Sequence, residues 1–132
     1  MNLEILKIAS DTTNHKNLDN CTHKSKHRNP ICGDVMEVGV KISKNRILDF
    51  AYQCKSCVYC QASASFLSKF SINKTIKSIN NSINFFNTFF ENHTVKFPKE
   101  LEKFEILFNK DNLSRKDCIL LPFKALSKAL KS

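Results

Sequence analysis

Three cysteines crowd into residues 53–60, QCKSCVYC, at Cys54, Cys57 and Cys60. An iron–sulfur cage that opens C-x2-C-x2-C continues C-x3-C-P. Here QASASFLSKF follows, with neither the fourth cysteine nor the proline. The run does not close a cage by itself, so further ligands have to come from elsewhere in the chain. Upstream, NPICGDVM sets Cys32 and Asp34 on either side of Gly33. The glycine lets the backbone turn sharply between two side chains that can reach the same point. Downstream, SRKDCILL supplies Cys118. With one thiol from the crowded run, Cys32 and Cys118 make three thiolates, and with the Asp34 carboxylate these form a four-ligand set suited to zinc, or to a small iron–sulfur cluster held loosely. Carboxylate is a harder ligand than thiolate, and in an iron–sulfur site it would ease release of the cluster. A second grouping, Cys21 with His15, His23 and His27, matches no closed tetrahedral spacing. It reads as a solvated basic loop.

These residues need a scaffold that brings distant segments together. In DVMEVGVKIS, Met36, Val38, Val40 and Ile42 alternate with Glu37, Gly39 and Lys41, the period-two pattern of a half-buried strand. SKNR follows as a turn in which Asn45 takes a positive φ. In ILDFAYQC, Leu48, Phe50, Tyr52 and Cys54 share one face, giving a hairpin. Cys54 therefore reads as a small buried residue rather than a ligand. From Val58 the period becomes helical, with Tyr59, Ala62, Phe66 and Phe70 on one stripe and Cys57, Cys60, Ala64 and Leu67 on another. Cys57 sits at the N-terminal edge, where the helix dipole and free N–H groups favour a thiolate. The hairpin brings the ends of its two strands together, so Cys32, Asp34 and Cys57 converge at one end of the sheet.

The flanking elements are helical. Residues 2–10 form a short helix with Leu3, Ile5, Leu6, Ile8 and Ala9 inward, and 14–29 form a loop with a short edge strand around 21–27. Ile76, Ile79, Ile83, Phe86 and Phe90 mark a helix over 75–91. Pro98 opens another, carrying Leu101, Phe104 and Phe108. The last spans about 114–131 with Ile119, Phe123, Leu126 and Leu130, and Pro122 kinks or offsets its first turn. A helix, a small antiparallel sheet of about three strands and several more helices define an α+β fold, expected as one domain over 1–132.

Composition narrows the function. Two Gly and three Pro in 132 residues argue against a turn-rich all-β fold. No stretch approaches the length of a membrane span. The first residues lack the pattern of a signal peptide, so a cytoplasmic protein with reduced cysteines is expected and no membrane partner. The net charge of +9 comes from scattered lysines. With no base-stacking aromatics beside them, a nucleic-acid partner is not expected. A stable electron carrier is also disfavoured, because such carriers use an all-cysteine cage.

NPICGDVM, SCVYCQASASFLSKF and RKDCILLPFKAL together resemble the three cysteine motifs of the U-type iron–sulfur scaffold family, which includes IscU, SufU and the N-terminal domain of NifU. The resemblance runs from about residue 29 to 131. It implies that Cys32, Cys57 and Cys118 are the scaffold thiols and Asp34 the fourth ligand, with Cys57 and Cys118 as sulfur-accepting thiols. It implies a SufE/NifU-like fold and a carrier rather than an enzyme. Such a carrier accepts sulfur and iron, builds a transient [2Fe–2S] cluster and transfers it to apo iron–sulfur proteins. A cysteine desulfurase is the implied sulfur donor, and a homodimer is left open. The alternative is a zinc-bound, SufU-like sulfurtransferase partner of a desulfurase, using the same residues. Cys60 falls where the family usually has a small or polar residue, and is kept as a minor candidate ligand. Ser56 replaces the usual glycine before the second thiol, and Asp117 replaces the histidine that IscU-type members carry before the third. The long gap from Cys57 to Cys118, with Arg115 three residues before that thiol, looks more like SufU.

Overall fold

The computed structural model of the chain describes residues 3–30, 33–91 and 96–131. Its centre is a three-stranded antiparallel sheet in sequence order: β1 (His23–Arg28), β2 (Val35–Ser43) and β3 (Arg46–Lys55). Met36, Val38 and Val40 of β2 face Cys54, Tyr52 and Phe50 of β3 across the ladder. The turn between them puts both Lys44 (φ 52°) and Asn45 (φ 63°) in the left-handed region, the geometry of a tight two-residue hairpin. The edge strand β1 matches the short strand expected near 21–27. Its Ser25 and His27 are half-buried while Lys24, Lys26 and Arg28 face solvent.

One strand face differs from expectation. The register slips between Lys41 and Ile42, where Lys41 pairs with Asp49 and Ile42 with Ile47. Leu48 is the extra residue of this β-bulge. It is 45% exposed, and Ile47 fills the core in its place. Period-two counting cannot see a bulge, because the inserted residue reverses the alternation beyond it.

The inner face of the sheet is covered by α2 (Val58–Ser71) and α4 (Lys116–Leu130), with α1 (Leu3–Ala9) against α2. Within α1 only Ile5 and Ala9 are buried. Leu3 and Leu6 are exposed, against the expectation that they point inward. In a helix this short, residues 5 and 9 share the docked face and residue 3 lies across the axis from it. α3 (Ile76–Phe89) is capped by Thr75, whose Oγ1 accepts from the Ser78 amide at 3.1 Å. Ile79, Ile83, Phe86 and Phe89 of α3 are buried. Phe86 lies at the middle of an aromatic cluster, its ring centroid 4.8, 4.3 and 4.9 Å from those of Phe104, Phe108 and Phe123.

After Pro98 the chain forms two 3₁₀ segments, Lys99–Ile106 and Lys110–Arg115, rather than an α-helix. Leu101, Phe104 and Leu107 are all buried, and their spacing of three is the period of a 3₁₀ turn. The last helix starts at Lys116 and continues through Pro122 to Leu130. Pro122 has no N–H to give the Cys118 carbonyl four residues earlier.

Candidate metal and sulfur site

The open end of the hairpin builds the site. Val35 and Lys55 are the last paired residues of β2 and β3. Asp34 and Ser56 therefore leave the sheet side by side. Two hydrogen bonds hold Asn29 against Gly33 and Asp34: the Gly33 amide donates to the Asn29 carbonyl at 2.8 Å, and the Asn29 amide donates to the Asp34 carbonyl at 2.8 Å. Gly33 sits at φ +77°, with no atom within 4 Å of where a Cβ would stand. A side chain would fit there in space. The left-handed backbone is what calls for glycine.

Past Lys55 the chain takes an extended conformation at Cys57 (φ −71°, ψ 167°), which is the N-cap of α2. The Cys57 side chain makes no capping hydrogen bond. The Cys57 amide instead donates to Asp34 Oδ2 at 3.4 Å, a long contact that spans the hairpin mouth. Cys118 arrives from the first turn of α4. Two contacts set its position on either side. Arg115 lies over the Tyr59 ring at 5.2 Å, and buried Ser63 donates to the Ile119 carbonyl at 2.6 Å. Both fasten the start of α4 to the start of α2.

The outcome is a cluster of three. The carboxylate of Asp34 and the thiols of Cys57 and Cys118 offer ligand atoms within 4.8 Å of one another, all half-buried. Among the described residues it is the one such group of His, Cys, Asp and Glu. Cys32, the fourth expected ligand, lies outside the described residues. Asp34, two residues further on, belongs to the cluster.

A tetrahedral zinc with sulfur ligands at about 2.3 Å has donor–donor edges of about 3.8 Å. The cluster is thus close to the size of a metal site. The donor set, thiols with one carboxylate, suits zinc or iron. By its chemistry and its size the site fits either.

The other cysteines divide by environment. Cys54 is half-buried opposite Met36 on the inner face of the sheet, as its strand position implied. Burial pushes its thiol up, nearby Asp34 and Cys57 add to this, and the Ser56 side chain opposes it. Cys60 is 0% exposed, and burial pushes its thiol up strongly, again against the pull of Ser56. Neither belongs to the cluster. Cys21 packs on the other face of the sheet. A Cβ added at Gly39 would stand 2.6 Å from its sulfur. His15 stacks on Tyr52 with centroids 5.1 Å apart, and His23 Nδ1 lies 2.8 Å from Thr22 Oγ1. His15, His23, His27 and Cys21 therefore serve separate local contacts and form no metal group among the described residues.

Asp117 borders the cluster without joining it. It lines a small cavity of about 120 Å³ with His27, Asn29, Pro30, Leu121 and Lys124. His27 is held below its ordinary value by burial, with Lys124 and Lys128 pushing the same way. Sequence reasoning named Tyr59 and Arg115 without their contact, and passed over the positioning residue Ser63. Ser63 had one available signal, a serine within a run of Ala and Ser too small to fill a core alone.

Comparison with known proteins bears on the family and the fold. A family model described as the NifU-like N terminal domain matches residues 2–107. Cys118 lies beyond the matched span. Two iron–sulfur cluster assembly scaffold proteins of Archaeoglobus fulgidus, IscU 1 and IscU 2, are each 37% identical over 49 residues. That stretch is 37% of this chain, and the chain spans about a third (32%) of the length of those relatives. A nitrogen-fixing NifU-like protein (N-terminal) from Brucella abortus superposes with a TM-score of 0.89 at 20% identity, over 98% of this chain and 91% of the other. A candidate iron–sulfur cluster assembly scaffold for the SUF system of Fervidobacterium islandicum AW-1 gives 0.86 at 21% identity, over 98% and 96%. At these identities the likeness establishes the shared α+β fold.

Proposed function

Because the chain belongs to the family of NifU-like N-terminal domains, we propose that it is an iron–sulfur cluster assembly scaffold. It receives sulfur and iron, holds a transient [2Fe–2S] cluster on Cys32, Asp34, Cys57 and Cys118, and passes it to apo-proteins. The observation that carries this reading is the convergence of Asp34, Cys57 and Cys118 within 4.8 Å. They come from three separate segments, the entry to β2, the N-cap of α2 and the first turn of α4.

The thiols and the carboxylate have different tasks. Cys57 and Cys118 accept sulfur and then bind iron as thiolates. Asp34 supplies the harder ligand, which leaves one iron more exchangeable and favours handing the cluster on. The half-buried setting limits water at the cluster while leaving the hairpin mouth open to a partner. The protein works as a carrier rather than an enzyme, in the cytoplasm. Its donor is a cysteine desulfurase and its acceptors are apo iron–sulfur proteins.

A second reading uses the same donors. Their number and spacing also suit a single zinc ion. Cys57 or Cys118 would then leave the metal to take sulfur from the desulfurase and give it to another scaffold. Metal analysis after anaerobic purification separates the two. Equal iron and sulfide with visible absorption support the scaffold. Colourless protein with one zinc, which fails to take up iron and sulfide, overturns it in favour of the zinc-bound carrier.

A further inference from the structure

Cys60 is the thiol the scaffold reading does not use. It lies three residues after Cys57, in Cys57-Val58-Tyr59-Cys60. Cys57 is the N-cap of α2 and Cys60 stands one turn inside it. The Gln61 amide donates to the Cys57 carbonyl at 3.1 Å, so the helical turn is already formed at Cys57. Helical geometry sets residues three apart at a Cα separation of about 5 Å. A disulfide requires Cα atoms within about 4.4–6.8 Å. A half-buried thiol at a helix start, with a fully buried thiol one turn on, is the arrangement of a redox-active C-x-x-C pair.

Cys54 precedes Cys57 by the same interval but sits in different backbone. β3 is extended through Lys55. Three extended residues span up to about 10 Å. Cys54 also packs on the core side opposite Met36. The α2 turn presents Cys60 to Cys57 more directly.

We propose that Cys57 and Cys60 form an internal dithiol that reduces the sulfur carried on Cys57 and releases it as sulfide. This step rests on the reading of Cys57 as a sulfur acceptor. A persulfide on Cys57 carries the sulfur as Cys57–S–SH. The Cys60 sulfur attacks the inner sulfur of that group. A Cys60–Cys57 bond forms and the bond to the outer sulfur breaks. The outer sulfur takes the electron pair, and with the proton given up by Cys60 it leaves as hydrogen sulfide. The two cysteines are oxidised by two electrons and the sulfane sulfur is reduced by two. An external dithiol reductant then reopens the disulfide by exchange and frees Cys57 to bind iron. The protein thereby supplies, from its own chain, the electrons that turn sulfane sulfur into the sulfide a cluster contains. Sulfide is made beside Asp34 and Cys118, where iron is to be held.

The test uses metal-free protein treated anaerobically with inorganic polysulfide and then desalted, with no added reductant. Three quantities are followed: sulfur on Cys57 by peptide mass, sulfide released, and disulfide formed. Trypsin cuts after Lys55 and Lys69, so Cys57 and Cys60 share one peptide, Ser56–Lys69, and Cys54 falls on another. The expected result is a disulfide loop within that single peptide, with one sulfide released per disulfide. Cys60→Ser and Cys60→Ala, each verified as folded by circular dichroism, should keep the sulfur on Cys57 and slow sulfide release at least about tenfold. Cys54→Ser should behave as the parent. Parent-like release in both Cys60 variants, or a disulfide joining two peptides across Lys55, overturns the proposal. Sulfur that stays on Cys57 in the parent overturns the dithiol step alone. Failure of Cys57 to take any sulfur overturns the acceptor role beneath it as well.

Discussion

Ser63→Ala tests whether α4 is held in place for the sake of Cys118. Ser63 is 0% exposed and donates to the Ile119 carbonyl at 2.6 Å, one residue after the thiol. Ile119 is also 0% exposed. As a helical carbonyl it keeps the Phe123 amide as a second donor, so the substitution leaves no acceptor stranded. The loss is then that of one buried hydrogen bond, about 1 kcal/mol. For a domain of this size that is a fall in Tm of about 2–5 °C. If the bond also fixes Cys118 beside Cys57 and Asp34, part of its energy is lost again on metal binding, and zinc affinity falls by up to about fivefold. Thermal melts with and without zinc, and competition against a chromophoric chelator, measure the two effects. A lower Tm with zinc affinity unchanged would show that the clamp supports the fold and not the site. An unchanged Tm would refute the energetic reasoning itself.

Three further outcomes follow from the same structure. Asp34→Ala should lengthen the half-time of cluster transfer to an apo-acceptor about tenfold, equivalent to about 1.4 kcal/mol in the barrier. Visible circular dichroism follows the transfer, and a faster transfer in the variant contradicts a releasing role. His27 is held below 6.5 by burial and by Lys124 and Lys128, so the unfolded chain binds the proton more readily. Its contribution is present above that value and is lost as the pH falls through it, and denaturant titrations of His27→Gln should show a shallower acid loss than the parent. Tyr52 is raised by burial from 10.0 to about 12. The unfolded chain ionises first as pH rises, so stability should fall between pH 10 and 12. A parent-like slope in Tyr52→Phe over that window would contradict the assignment.

The hairpin was legible because burial on one face imposes a period of two, and the turn because Asn tolerates a positive φ. Leu48 was misplaced because a bulge is set by pairing across the ladder, which no single strand encodes. The 3₁₀ segments escaped notice because Leu101, Phe104 and Phe108 suit a helical stripe, and only the burial of Leu107 reveals the period of three. The convergence of Asp34 and Cys57 followed from the hairpin alone. That of Cys118 did not, since it depends on how α4 packs on α2. Serine is usually a surface residue, yet Ser63, Ser65, Ser68 and Ser71 of α2 are all buried. Ser65 donates to the Asp11 carbonyl at 3.1 Å, and Ser68 accepts from Asn14 Nδ2 at 3.0 Å. Their small size lets α2 approach its neighbours closely. The hydroxyls of Ser63 and Ser65 find backbone carbonyls there, whereas Ser71 Oγ is buried without a hydrogen-bond partner.

Anaerobic reconstitution with iron and sulfide tests the central claim most directly, comparing the parent with Cys57→Ser, Cys118→Ser and Cys54→Ser. Each variant is first verified as folded by circular dichroism, and bound iron and sulfide are then measured. The account predicts equal iron and sulfide with a visible spectrum in the parent and in Cys54→Ser. It predicts loss of most of the bound cluster in Cys57→Ser and in Cys118→Ser. Full loading of both Cys57→Ser and Cys118→Ser would contradict it, since the cluster would then be held by residues other than those the hairpin mouth and α4 bring together.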